Sequence, residues 1–215
     1  MTIQVRDKKL FHVNRITGCS PESLLNIDDI IEVGKEYNPF FGYYNKQKRS
    51  YPVTMANNQV QEISGLAFLR HVKEDKIQSP HLSNIAYDVA NHFMMLSREM
   101  LLESVRLEKY PDIPSRQRCI WLTKDMDSLL HWRNRLQSEN ETQYIEFSAT
   151  GCIHECDASY LMGDSELLSV SYENAEKYWK GEMNASSSEP EILFEGTLKV
   201  TRVIPENEFA EKITA

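Results

Sequence analysis

The chain has 215 residues, 41% of them hydrophobic, and a net charge of −8. This length is enough to bury one sizeable core, and we expect a single domain over residues 1–215 with an inserted helical section over about 59–110. The acidic balance argues against a protein that coats nucleic acid, while the four cysteines and the lack of a leading signal or a long apolar run predict a cytoplasmic protein with no membrane association.

The first predicted element is a short strand over residues 10–16. Apolar residues alternate there, and the strand carries His12, Val13 and Arg15. Directly after it, Ser20 followed by Pro21 has the pattern of a helix start, because serine caps a helix well and proline needs no amide hydrogen at the first position. The first ionisable groups of interest are therefore predicted on a rigid element.

Residues 38–52 are aromatic and basic and are predicted to form a loop. Rings interleaved with lysine and arginine can stack on bases and pair with phosphates, which is how single-stranded nucleic acid is bound without a base code. The alternative is that the rings cover the core and that the run from Lys46 to Arg49 is solvated. The sequence leaves both readings open.

The middle of the chain, residues 59–110, has a helical pattern of apolar residues. A buried strand is predicted next, over residues 119–123, and it carries Trp121 and Thr123. Asp125 is placed to cap the following helix, and another strand, over 144–151, carries Ser148. Strands at both ends with helices between them predict an α+β fold.

The sequence contains no dinucleotide-binding glycine motif, no phosphate loop and no His-Glu-x-x-His. Cys152, His154 and Cys156 would share one face of an extended segment, but this spacing is unusual for zinc and a fourth ligand would be required. We therefore favour a small buried patch at this segment and predict no metal site.

Near the C-terminus, Glu189 and Glu191 lie at the start of a predicted strand. Alternate residues of a strand face the same way, so both carboxylates are expected to point into one cleft. Crowded carboxylates perturb each other, and one of them can hold a substrate hydroxyl or stabilise developing positive charge. The alternative is a solvated strand end after a polar run.

Three short sequence segments together resemble the ADP-ribosyltransferase fold, and the third resembles the Glu-x-Glu strand of mono-ADP-ribosyltransferase toxins. They are the histidine-bearing first strand, Phe11-His12-Val13, the strand, turn and helix from Ile120-Trp121-Leu122 to Ser128, and the strand that begins with Glu189-Pro190-Glu191. The resemblance implies a split β-sheet core with an inserted helical section, and it implies NAD as co-substrate.

The family's roles then fall on matching positions. His12 would bond a ribose hydroxyl of NAD, the backbone at Val13 would contact the nicotinamide amide, and Trp121 would stack on the nicotinamide ring, with Thr123 grouped among the NAD-binding residues. Glu191 would hold the 2′-hydroxyl of the nicotinamide ribose and stabilise an oxocarbenium-like centre. This sequence has tryptophan where the family usually has tyrosine.

The resemblance also places Glu189 where the acceptor is oriented or deprotonated. A second assignment uses Arg15 as the first-strand arginine and Ser148 in a Ser-x-Thr strand, as in the arginine-serine-glutamate subgroup. Both assignments agree on Glu191.

Small transferases of this type look like toxins of bacterial toxin-antitoxin or phage-defence systems, so an antitoxin partner is possible. The aromatic and basic segment favours RNA as the acceptor over a protein side chain. A non-catalytic binding module and an NAD hydrolase that transfers nothing are the alternatives.

Overall fold

A computed structural model describes residues 2–16, 24–54, 58–136 and 141–209. The chain forms two compact units, Met1–Gly42 with Glu99–Ala215, and Tyr43–Arg98. Helices accompany antiparallel sheets, which confirms the α+β class. The helix start predicted at Ser20 and Pro21 lies outside the described residues.

The strands and helices are numbered in chain order. The strands are β1 (Ile3–Arg15), β2 (Ile30–Val33), β3 (Ser50–Thr54), β4 (Val60–Ser64), β5 (Ile120–Leu122), β6 (Thr142–Asp157) and β7 (Pro190–Ile204). The helices are α1 (Pro39–Lys46), α2 (Gly65–Lys73), α3 (Leu82–Lys109), α4 (Met126–Arg135) and α5 (Leu168–Lys180). The four predicted strands of the larger unit are present, and β1 and β6 are much longer than their apolar patterns indicated.

Four strands of the larger unit form a closed ring. β1 pairs with β6, β6 with β7, and β7 with β5, all antiparallel. Phe11 and Thr123 then exchange two backbone hydrogen bonds of 2.9 and 2.8 Å, which joins β5 back to β1. β2 pairs with β7 beyond the ring. This closure leaves few free strand edges and fixes β1, β5 and β7 beside one another.

Side chains alternate between the two sides of this ring. One side carries a core drawn from all four strands: Leu10, Leu122, Ile145, Phe147, Ala149, Ile153, Ile192, Phe194, Leu198 and Val200, each at most 4% exposed. Their sequence neighbours face the other way: Phe11 packs with α4, and Leu193 packs with α3 and α5. We call these two sides the inner and the outer side of the ring.

The predicted loop over residues 38–52 is wrong, because it contains α1 and the start of β3. Asn38 caps α1: its Oδ1 accepts a hydrogen bond of 2.9 Å from the Phe41 amide. Pro39 occupies the first helical position, where an amide hydrogen would have no partner. The sequence interpretation missed this helix start because the segment is rich in aromatic residues, although an asparagine cap followed by proline is typical of a helix N-terminus.

The smaller unit contains the β3–β4 hairpin, α2 and the first part of α3. The helical pattern predicted for 59–110 is therefore confirmed for α2 and α3, whereas Val60–Ser64 is a strand. Ser64 then caps α2 with a hydrogen bond of 3.4 Å from the Ala67 amide. The Asp125 cap of α4 is also as predicted, at 2.8 Å from the Ser128 amide. None of the described helices combines the length and apolar composition needed to cross a bilayer.

Asp157, at the end of β6, anchors the segment that leads into β7. Its buried carboxylate accepts hydrogen bonds from the amides of Ser159 (2.9 Å), Glu189 (2.8 Å) and Asn184 (2.9 Å) and from the Ser188 hydroxyl (2.8 Å). Burial alone would raise the pKa of Asp157, but these donors lower it to about 2. The start of β7 is thus fixed by one ionised side chain.

We expect Asp157→Asn to lower the free energy of unfolding at pH 7 by about 2 kcal/mol, since an aspartate has an unfolded pKa of about 3.9. Because the folded pKa is the lower one, this contribution is complete above the unfolded pKa and is lost as the pH falls towards 2. Urea unfolding at pH 7 measures the difference. The exposed Asp164→Asn is the control, and an equal loss in both variants would contradict the anchoring role.

Candidate active site

Glu191 lies on β7, on the outer side of the ring, and is 6% exposed. Its Oε1 accepts a hydrogen bond of 2.5 Å from the Tyr178 hydroxyl and another from Nη1 of Arg116. The Cys156 thiol makes a longer contact of 3.9 Å with the same oxygen. Within the described part of the chain, Oε2 has no hydrogen-bond partner. The carboxylate is therefore fixed through one oxygen, and the described residues leave the other without a hydrogen bond.

Arg116 is the centre of this cluster. Its Nε donates to Oε2 of Glu99 at 3.1 Å, and its guanidinium lies 5.2 Å from the ring centroids of both Trp121 and Tyr178. Burial alone would lower the pKa of Arg116, but Glu99, Tyr178 and Glu191 raise it well above its usual value. A permanent cation thus lies between two carboxylates and two aromatic rings.

Tyr178 comes from α5 and is completely buried. Burial raises the pKa of its hydroxyl well above the usual value, so the proton stays on the oxygen. The hydroxyl accepts from Nη1 of Arg116 at 2.5 Å and donates to Glu191. The Tyr178 hydroxyl therefore links the Arg116 guanidinium to the Glu191 carboxylate through two hydrogen bonds.

Trp121 belongs to the same outer cluster. Its cross-strand partner is Leu193, two residues from Glu191 on the same side of β7. Within the described chain, the indole Nε1 and the Thr123 hydroxyl are buried and have no hydrogen-bond partner. An unsatisfied buried polar group costs about 1–3 kcal/mol, so such groups call for an explanation. A ligand acceptor at either atom would supply one.

His12 lies on the neighbouring strand but faces the opposite way. Its Nδ1 donates to the Trp121 carbonyl at 2.8 Å, and its ring lies 6.4 Å from that of Phe147 on the inner side. The structure therefore brings Trp121 and Glu191 together on the outer side and places the His12 side chain across the sheet from them. Burial lowers the pKa of His12 to about 4.

Val13 lies in a different place again. It faces the outer side near α4 and lines a cavity of about 390 Å³. The other lining residues are Arg133, Asn134, Leu136, Thr142, Tyr144 and Glu206. Neither Trp121 nor Glu191 contributes to this cavity.

The two glutamates of the Glu-x-Glu pattern have separate partners. Glu189 forms an ion pair of 3.0 Å with Arg135 at the end of α4, while Glu191 pairs with Arg116. Each carboxylate is compensated by its own cation. Two separate cations thus replace the mutual crowding of the carboxylates that the sequence predicted.

The strand register separates the residues of the second assignment. Glu191 is paired with Cys156, eight residues along β6 from Ser148, which is about 26 Å in an extended strand. Ser148 instead bonds Asp7 at 3.4 Å, and Arg15 is an exposed residue opposite Thr142. Arg15, Ser148 and Glu191 do not meet.

The rings of the aromatic and basic segment are largely engaged within the fold. Phe41 is buried, the Tyr43 hydroxyl accepts a 2.7 Å hydrogen bond from Arg49, and Tyr51 bonds Asp88. The exposed cations of this segment are Lys46 and Lys48. Open rings for base stacking are therefore scarcer than the composition predicted.

The segment with Cys152, His154 and Cys156 packs into the outer core. The His154 ring lies 6.2 Å from that of Trp179, and the Cys156 thiol contacts the Glu191 carbonyl at 3.7 Å. Among the described residues, no group of histidine, cysteine or acidic side chains is arranged to hold a metal ion.

Residues 10–207 match the model of a family described as "Protein of unknown function (DUF2441)". The chain belongs to this family. The matched region includes His12, Trp121 and Glu191, the whole of β5, β6 and β7, and β1 from Leu10 onwards. No curated protein matches the sequence significantly.

Three residues of the cluster in this DUF2441 member were missed by the sequence interpretation: Glu99, Arg116 and Tyr178. They come from a helix, a connecting segment and another helix, far apart in the sequence. The available signal was a glutamate and a tyrosine at core positions of helical patterns, since charged residues are rarely fully buried unless they are paired. Their meeting point depends on the packing of α3 and α5.

The partly buried His12 gives this DUF2441 protein a testable pH dependence. Its folded pKa of about 4 is below the usual 6.5, so its stabilising contribution is complete above 6.5 and is lost as the pH falls towards 4. Between pH 7 and pH 5 we expect this effect to remove about 2 kcal/mol of stability. Urea unfolding of the parent and His12→Gln measures it.

The variant should lose less stability over this interval than the parent, while exposed His81→Gln should behave like the parent. Parallel stability curves for the parent and His12→Gln would contradict the lowered pKa of His12.

Proposed function

We propose that this protein is an NAD-dependent mono-ADP-ribosyltransferase with an ADP-ribosyltransferase-type core, and that Glu191 is its catalytic carboxylate. One observation carries the proposal: Glu191 is fixed through Oε1, while Oε2 has no partner among the described residues and the residue lies in the same cluster as Trp121. This is the arrangement that a carboxylate needs in order to receive a ligand hydroxyl without reorganisation.

In the proposed reaction, the bond between C1′ of the nicotinamide ribose and the ring nitrogen breaks, and nicotinamide leaves with the bonding electrons. The acceptor forms the new bond to C1′ and releases its proton to water. Oε2 of Glu191 accepts a hydrogen bond from the 2′-hydroxyl and stabilises the positive charge that develops on the sugar, an interaction stronger in the transition state than in the ground state. Trp121 supplies a ring for stacking, and its free Nε1 can donate to a ligand acceptor.

The acceptor proposed is RNA, with a protein side chain as the alternative. Exposed Lys46 and Lys48 support phosphate contacts, although most rings of their segment are engaged within the fold. The resemblance implies a toxin of a toxin-antitoxin or phage-defence system, and we include that role in the proposal, with an antitoxin as the partner.

Incubation with NAD labelled in the adenylate part, in the presence of cell extract, tests the proposal. We expect a labelled macromolecule with the parent and a loss of about 100-fold or more with Glu191→Gln, which keeps the shape and removes the charge. Glu155→Gln is the matched control, because Glu155 is an exposed glutamate on the neighbouring strand. Equal labelling by parent and Glu191→Gln would remove Glu191 from the mechanism.

The same experiment separates the alternatives. Label released by ribonuclease identifies RNA as the acceptor, and label released by protease identifies a protein. Free ADP-ribose without a labelled macromolecule indicates hydrolysis. A ligand that binds the folded state raises the melting temperature. A chain that neither consumes NAD nor is stabilised by it is therefore a non-catalytic binding module.

A further inference from the structure

Among the described residues, Arg116 is the buried cation that contacts Glu191, and its hydrogen bond goes to Oε1. Its contacts with Glu99, Trp121 and Tyr178 restrict the orientation of the guanidinium. A planar guanidinium held in this way orients a carboxylate more strictly than a lysine ammonium would. The contacts of Oε1 therefore fix the rotation of the Glu191 carboxylate.

We infer that Arg116 is a positioning residue for the proposed reaction: through Oε1 it fixes the Glu191 carboxylate and turns Oε2 towards the ligand. This inference rests on the proposed function, because positioning has a meaning only if Glu191 acts on a ligand. Tyr178 completes the arrangement, since its hydroxyl is bonded to both partners.

Glu99 has a different part in this arrangement. It pairs with the Nε side of the guanidinium, at 3.1 Å, while Glu191 pairs with Nη1. The two carboxylates therefore occupy different edges of one cation, and Glu99 fixes the rotation of the guanidinium from the edge that Glu191 does not use. A cation with a single carboxylate partner would be freer to rotate away from Glu191.

The test compares Arg116→Gln, Arg116→Lys and Tyr178→Phe in NAD consumption as a function of pH. Without the cation, a buried carboxylate is protonated more readily, so the acid limb of the profile should move to higher pH in Arg116→Gln. Its turnover at pH 7 should fall about 100-fold with little change in KM, because a small misplacement of a reacting group costs about this much.

The other variants separate charge from orientation. Arg116→Lys keeps the charge, so its acid limb should stay near that of the parent while turnover falls to an intermediate value. Tyr178→Phe should reduce turnover without a large shift of the acid limb of the pH profile. Val105→Ala, in the same outer core and 2% exposed, is the structural control: it should lower the melting temperature and leave the profile in place.

A readout independent of turnover keeps the inference separate from the proposed function. Infrared titration of Arg116→Gln should show the carbonyl band of a protonated carboxyl at a pH where the parent has none, and this band should vanish in Arg116→Gln/Glu191→Gln. An inactive parent, together with the expected bands in Arg116→Gln, would defeat the transferase proposal while retaining the influence of Arg116 on the Glu191 carboxylate. An unshifted acid limb and an unchanged infrared titration in Arg116→Gln would overturn the inference. If Arg116→Gln does not fold, full parental turnover in Arg116→Lys and Tyr178→Phe would overturn it as well.

Discussion

Gly196→Ala is expected to lower the free energy of unfolding by about 4 kcal/mol, since it combines backbone strain with a steric clash. Gly196 has a φ of +139°, and a Cβ at this position would lie 2.5 Å from the Thr150 carbonyl oxygen and 2.7 Å from the Gly151 Cα. Both neighbours are backbone atoms of β6, so no side-chain rotation can relieve the contact. Equilibrium urea unfolding measures the loss.

Gly151 is the cross-strand partner of Gly196 and should behave in the same way. Its φ is +157°, and an added Cβ would meet the Glu195 carbonyl oxygen at 2.2 Å. The control is Gly42→Ala in the interior of α1, where nothing lies within 4 Å of the added carbon. Because alanine is the better helix former, this control should stabilise the protein by about 0.5–1 kcal/mol. Small losses at both Gly196 and Gly151 would show that the two strands can separate here at little cost.

The second large effect is expected for Arg116→Met. This change leaves the carboxylates of Glu99 and Glu191 buried without their cation, which costs about 3–5 kcal/mol. The loss should shrink as the pH falls, because protonation removes the uncompensated charges. Unfolding in urea at pH 7 and at pH 5 tests both the size and the sign of this dependence.

The matched comparison is Arg133→Met, which removes an arginine from a more exposed ion pair with Glu206. Such a pair contributes about 0–1 kcal/mol. The triple variant Arg116→Met/Glu99→Gln/Glu191→Gln should regain much of the loss, since it removes the buried charges together. If Arg116→Met costs no more than Arg133→Met, the cluster is not the desolvated network that its burial indicates.

Local chemistry made several elements predictable. The β5 strand, the Asp125 cap and the C-terminal strand follow from apolar patterning and capping residues that act within a few positions. The same reasoning failed at residues 38–52, where aromatic composition obscured the cap at Asn38. The same reasoning predicted β1 and β6 too short, because their polar outer positions are paired by backbone hydrogen bonds that composition does not reveal.

The candidate site was predictable in part. Alternation along β7 correctly identified a strand that carries Glu191, and Trp121 on β5 was correctly placed on a neighbouring element. The side of the sheet that each residue faces could not be deduced, because it depends on the register between strands, and a shift of one residue reverses it. That register sends His12 to the inner side and separates Ser148 from Glu191.

The sequence by itself determined an α+β chain whose C-terminal strand begins with acidic residues, because strand alternation and helix capping are local properties. The tertiary structure alone decided that Glu191 meets Arg116, Tyr178 and Trp121 rather than Glu189. The physical reason is desolvation: a buried carboxylate requires a cation and hydrogen-bond donors, and these arrive from α5 and the segment before β5 only when the chain is folded.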